Sequence, residues 1–318
     1  MCTSIVMRSE NVYFGRNMDI DYDFGQSAVI TPRSFPLYFK EEKEIKAHFS
    51  MVGTAAVFEN YPLYAEAMNE KGLYMSALNF PDNACYSEKR ENGKHNISAA
   101  ELILWVLSQC ETTEEARALL EKTNIRAIPF SAQLSLTPLH WHIADESGSL
   151  CVEKTKEGLN IYDNPFDVVT NNPVFPHHKE GMWKTSLFSN KNPSFEKKEA
   201  PCGSQLGLGA WGLRGDFSSH SRFEKAFFLL KFCSKEKSEN CVSQFFHILS
   251  CVAVIKGAVL TKNEKPHYTK YSCCFDQKNL TYYFKEYFSQ KTEKLKLTEE
   301  NMKESSLQSV SFSNKNEL

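Results

Sequence analysis

The residue whose position invites chemistry is Cys2, which follows the initiator Met1. If Met1 is trimmed away, one residue carries both a thiol and an α-amino group. The amine titrates near ~7.7–8.0 and a free thiol near ~8.5, so both are poised close to neutral pH. The thiolate is the nucleophile, and the amine can act as its local base. A Cys at position two is a poor clue by itself, so the neighbours must make the case.

Residues 2–8 and 12–18 read as two strands, and Ser9-Glu10-Asn11 supplies the turn between them. Antiparallel pairing then sets Cys2 opposite residue 18 or 19, which brings Arg16 and Asp19 to its side. An arginine lowers a thiol pKa, and a carboxylate can orient a protonated amine. The register decides which side chain faces Cys2, and both registers stay open.

Further strand-like runs fall at about 27–31, 50–58, 63–69 and 72–79. Capping boxes at Ser98-x-x-Glu101 and Thr112-x-x-Glu115 open two helices. Strands return at 139–145, 149–154 and 159–163, and 168–172 extends them. Ser221-x-x-Glu224 caps a third helix with Arg222 at its first position, where a cation opposes the helix dipole. Residues 239–255 form a fourth helix, and 268–275 and 280–286 two late strands. The tail from about 289 is polar; it adds an edge element or stays mobile. The order is strands, helix pair, strands, helix pair, strands. It predicts an α+β fold, a four-layer αββα sandwich of two stacked antiparallel sheets flanked by helix pairs. Without a linker or repeat, residues 1–318 are expected to form one domain.

Composition narrows the function by exclusion. Lys and Arg number 37 against 39 Asp and Glu, and no basic stripe favours nucleic acid. No apolar run approaches 18 residues, and the N-terminus lacks a basic region followed by an apolar one. No membrane association is expected, and a cytoplasmic location is. The ten cysteines include no CxxC pair; Cys110, Cys233, Cys241, Cys251 and Cys273-Cys274 read as reduced, buried small hydrophobes. His140 and His142 alternate on a strand and His177-His178 are consecutive, but no third ligand is spaced to close a zinc site. No metal is expected.

The segments Cys2-Thr3, FGRNMDI (14–20), ALNFP (77–81), PLHWHIAD (138–145), VTNNP (169–173) and GDFSSHSRFEKAFF (215–228) resemble the choloylglycine hydrolase family. Its members are bile salt hydrolases and penicillin V acylases, and the resemblance runs from residue 2 to about 285. It implies the αββα fold, a homotetramer, and no cofactor or metal. It also implies Cys2 as nucleophile flanked by Arg16 and Asp19, Asn79 and Asn171 around a tetrahedral oxyanion, and Arg222 as the remaining site charge. Asn at the ALNFP position is similar to bile salt hydrolases rather than penicillin V acylases. The expected reaction is therefore hydrolysis of glycine- or taurine-conjugated bile acids through a thioester on Cys2. Met18, Ala65 and Leu134 lie in segments resembling the pocket loops. One departure stands out: Gly212-Leu213-Arg214-Gly215-Asp216 carries Arg214 where the family often has Pro, which frees a backbone N–H and relaxes φ. The alternatives are action on penicillin V or other N-acyl amides, and a catalytically silent binding protein of the same fold.

Overall fold

In the computed structural model, residues 1–132, 134–193, 205–234 and 241–312 are described. In chain order the strands are β1 (Cys2–Arg8), β2 (Val12–Ile20), β3 (Gln26–Thr31), β4 (Met51–Phe58), β5 (Tyr61–Asn69), β6 (Tyr74–Asn79), β7 (His95–Ser98), β8 (Thr123–Arg126), β9 (Leu139–Ala144), β10 (Ser149–Thr155), β11 (Gly158–Asp163), β12 (Val168–Val169), β13 (Tyr268–Asp276), β14 (Thr281–Glu286), β15 (Glu293–Lys296) and β16 (Gln308–Ser311). The helices are α1 (Leu102–Leu107), α2 (Thr113–Glu121), α3 (Phe175–Gly181), α4 (Ser219–Phe232) and α5 (Cys241–Ser250).

Two antiparallel sheets dominate, ordered β12-β1-β2-β13-β14-β15 and β11-β10-β9-β6-β5-β4-β3-β16. Helices α4 and α5 lie on the first sheet and α1 on the second. One core cluster unites the first sheet with α4 and α5, joining Ile5 and Phe14 to Phe223 and Phe245; another joins the second sheet to α1 and α2. This is the expected four-layer sandwich. A strand covered on both faces must be buried throughout, and all nine residues of β2 are. That is why Arg16, Asn17 and Asp19 are inaccessible despite their polarity.

The hairpin sets the site. Cys2 pairs with Met18, Thr3 with Asn17 and Ser4 with Arg16. Alternation then sends Cys2, Ser4, Arg16 and Met18 to the face between the sheets, and Thr3, Asn17 and Asp19 to the face under the helices. The pairing of β2 with β13 needs a glycine at position 15, where a Cβ would lie 2.0 Å from the Cys273 carbonyl oxygen.

Several expectations change in detail. The third helix starts earlier than its predicted box: Ser218 is the N-cap and accepts from the Ser221 N–H, which puts Arg222 about one turn inside α4. The reason is the serine run, which offers a cap before Ser221, while the Ser221 hydroxyl turns to Asp216 at 2.6 Å. Glu224 consequently binds Thr185 and faces Arg214 instead of closing a box. The fourth helix begins at Cys241, with 239–240 outside the described residues, and ends at Ser250. Cys251 is exposed just beyond it and Cys233 half-buried, unlike buried Cys110, Cys241, Cys273 and Cys274. Strand β12 stops at Val169, so the chain leaves the sheet before Asn171. The tail supplies two edge strands, β15 on β14 and β16 on β3.

Candidate active site

The Cys2 thiol lies on the sandwich face. Its Sγ is 3.9 Å from the Met18 sulfur, to which Arg16 also donates at 3.5 Å. The Arg16 guanidinium is fully buried and donates to the carbonyls of Ala77 and Ala65. It also stands 3.6 Å from the Glu66 carboxylate. Burial alone would pull the Arg16 pKa down, but the charges at Cys2 and Glu66 outweigh it and hold the group firmly cationic. Glu66 in turn accepts from the Tyr271 hydroxyl at 3.0 Å through each oxygen.

The Cys2 nitrogen is handled by the helix face. With Met1 attached it is an amide, which stands in for the α-amine that trimming would release. It donates to Asn171 Oδ1 at 2.7 Å. Arg222 binds the same oxygen at 2.8 Å, the Thr3 hydroxyl at 2.6 Å, the Phe217 carbonyl at 3.0 Å and the Cys2 carbonyl. Asp19 accepts from the Thr269 hydroxyl at 2.6 Å, and its other oxygen, without a hydrogen-bond partner, lies 3.9 Å from Arg222. Burial lowers the Arg222 pKa, against the pull of Asp19 and Cys2. The Met1 amine meets the Asp19 carbonyl at 2.8 Å and His267 Nε2 at 2.6 Å. Its pKa is lowered, first by burial and further by the two arginines, while Cys2 and Asp19 oppose the shift.

Four of the five residues named from sequence beside Cys2 thus converge on it or its immediate partners, and the fifth, Asn79, joins them through its backbone. Asn171 Nδ2 donates to the Asn79 carbonyl at 2.7 Å. Because the Cys2 and Arg222 nitrogens can only donate, the Asn171 oxygen must face them, and its N–H groups point away. The backbone N–H of Asn171 is taken by Ser219 at 2.9 Å. Asn171 therefore holds the nucleophile's nitrogen through its side-chain oxygen, while its Nδ2 gives one of two N–H groups to the Asn79 carbonyl. The Asn79 side chain, at the end of β6 and half-buried, makes no hydrogen bond among the described residues.

Of the three pocket residues, Met18 touches Cys2 and Ala65 touches Arg16. Leu134 lies beyond β8, half-buried and bonded to Ser131, and among the described residues it has no hydrogen bond to the Cys2 cluster. Sequence reasoning missed Glu66, Thr269 and His267. An acid inside the apolar run of β5 was a signal for Glu66, since a buried carboxylate demands a partner. It also missed that the register of β9 and β10 sets Cys151 and Glu153 beside His140, bringing three potential ligand atoms within 4.8 Å. A cavity of about 510 Å³ bounded by Thr113, Arg117, Ser149 and Asp163 includes none of the site residues.

Comparison with known proteins identifies the family. Residues 2–312 match the family of linear amide C–N hydrolases called the choloylglycine hydrolase family. A bile salt hydrolase/transferase of Lactiplantibacillus plantarum is 41% identical over 305 residues, 95% of this chain and 94% of that protein. One from Clostridium perfringens is 36% identical over 309 residues, again 95% and 94% of the two chains. A crystal structure of a variant of conjugated bile acid hydrolase from Clostridium perfringens superposes with a TM-score of 0.91 at 33% identity, covering 98% of this chain and 97% of that one. A penicillin V acylase from Agrobacterium tumefaciens, at 21% identity and a TM-score of 0.77, shares the fold. This chain belongs to the choloylglycine hydrolase family of linear amide C–N hydrolases.

Proposed function

We propose that this enzyme hydrolyses the amide bond of glycine- or taurine-conjugated bile acids, releasing the bile acid and the amino acid. The observation that carries the mechanism is the division of Cys2 between two buried arginines, with its nitrogen held by Asn171 at 2.7 Å. The substrate class rests on the full-length relatives named for bile salts.

With Met1 removed, the Cys2 thiolate attacks the amide carbonyl. The α-amine takes the thiol proton and passes it to the leaving amine, and the C–N bond breaks to leave a thioester on Cys2. Water, deprotonated by the same amine, then attacks the thioester and frees the acid. Arg16 holds negative charge at the sulfur; Asn171, Asp19 and Arg222 orient the nitrogen. Asn79 is the side chain with N–H groups available to the oxyanion. Met18, Ala65 and Leu134 contribute to the apolar pocket. The reading is of a single-domain, cytoplasmic homotetramer that needs no metal or cofactor.

The test is release of free amine from glycocholate, taurocholate and penicillin V by protein whose intact mass shows Met1 removed. Release from either bile salt, abolished in Cys2→Ala, is the expected result. Release from penicillin V alone would move the enzyme to the acylase activity, and release from none of the three would favour a silent binding protein.

A further inference from the structure

We propose that His140 and Glu153 are positioning residues: a buried pair on the second sheet that clamps residues 170–175 and so presents Asn171 to Cys2. The inference rests on the reading of Cys2 as nucleophile. His140 on β9 and Glu153 on β10 are 2% and 1% exposed and project across the sandwich toward the end of β12. There the chain leaves the sheet and has no ladder to fix it.

The clamp closes at both ends of the segment. His140 Nε2 meets the Thr170 carbonyl at 3.0 Å, and since a carbonyl only accepts, this nitrogen carries hydrogen. Glu153 Oε1 accepts from the Phe175 N–H at 2.9 Å. Between the two side chains, His140 Nδ1 faces Glu153 Oε1 at 3.5 Å. The His140 ring is stacked on Phe80 with centroids 4.2 Å apart, which fixes its plane. Nδ1 and Glu153 Oε2 have no other hydrogen-bond partner. A buried His–carboxylate pair is a costly way to fill a core, and apolar residues would fill it at least as stably. What the pair supplies instead is two fixed backbone attachments flanking Asn171. Displacing a positioned group by about 1 Å can lower a rate by about 10²-fold.

The test uses the trimmed enzyme and two readouts: kcat and KM on whichever conjugate it hydrolyses, and the rate of Cys2 alkylation by iodoacetamide across pH. His140→Gln and Glu153→Gln should lower kcat about 10- to 100-fold, change KM less than about twofold, and shift the pH profile of alkylation. Glu153→Gln, which retains an acceptor for Phe175, should lose less than Glu153→Ala. In a double-mutant cycle the effects of His140→Gln and Asn171→Ala should be strongly non-additive. Unchanged kcat and alkylation in folded Glu153→Gln, or additive losses in the cycle, would overturn the proposal. So would stoichiometric zinc in the wild-type protein that is lost in His140→Gln, because the cluster would then be a metal site. Alkylation reports on Cys2 without any substrate, so a failure of the bile-salt reading leaves this test standing.

Discussion

Arg16 and Arg222 flank the same cysteine on opposite faces of one sheet, and they are built for different work. Both are essentially inaccessible. Arg16 faces a carboxylate, Glu66, at 3.6 Å, and the charges around it raise its pKa. Arg222 is surrounded by neutral acceptors, with Asp19 no closer than 3.9 Å, and burial lowers its pKa. A buried cation with a matched anion is an electrostatic element, exerting a field on the thiol. A buried guanidinium that grips two carbonyls, a hydroxyl and an amide oxygen is a geometric one. The strand pleat makes this division: Cys2 sends Sγ to one face while its nitrogen stays in the backbone, within reach of the other.

The largest effect should come from breaking the electrostatic side. Arg16→Met leaves Glu66 buried without its cation, and losing one partner of a buried pair costs about 3–5 kcal/mol. Chemical denaturation should show that loss, and Arg16→Met combined with Glu66→Gln should recover most of it. If the double variant is no more stable than the single one, Glu66 is not the partner that matters and the comparison fails.

Next in size are the two positions that separate holding the nitrogen from stabilising the oxyanion. Asn79→Ala should lower kcat by about 10²–10³-fold, as removal of one oxyanion donor does, with little change in thermal stability. Arg222→Lys keeps the charge but cannot reach four acceptors, so kcat should fall by about 10- to 100-fold while the folded state survives. A lysine variant with wild-type kcat would show that Arg222 acts by charge alone, and the contrast with Arg16 would vanish.

Much of this arrangement was legible in the sequence, and the parts that were not share a cause. The turn at residues 9–11 was enough to narrow the partner of Cys2 to residue 18 or 19, and the observed pairing with Met18 chooses between the two registers. Local order likewise predicted the layers, since two periodicities alternate along the chain. Contacts between layers were beyond reach: Glu66 and Arg16 come from different sheets, His140 of the second sheet meets Thr170 just past the end of β12, and no local pattern encodes either meeting. The start of α4 was misplaced by a local competition, Ser218 against Ser221 for the same cap. Asn171 was found, but its role turned on which end of its amide meets Cys2, and only the two obligate donors beside it decide that.

The smallest effect concerns pH and again distinguishes the faces. On the sandwich face, His142 is fully buried between Ser4 and Ser149, at 2.8 and 2.7 Å. Burial, with help from Arg8 and His140, drives its pKa down to about 3. The unfolded chain takes up this proton near the ordinary histidine value of about 6.5, while the folded chain refuses it until about pH 3. Between those limits the unfolded state binds more protons, so stability falls as pH falls. The contribution is complete above about pH 6.5 and declines by up to about 1.4 kcal/mol per pH unit below it. His178, beside Asn171 near the helix face and held at about 4 chiefly by burial, adds a shorter window of the same sign. Urea unfolding at pH 6.5, 5.5 and 4.5 should therefore show a steeper loss in the wild type than in His142→Gln, which has no proton to gain. The variant's residual slope should shrink further with His178→Gln. Parallel slopes for wild type and His142→Gln would mean that the sandwich face admits a charged imidazole, and with it enough water to weaken the field of Arg16 on Cys2.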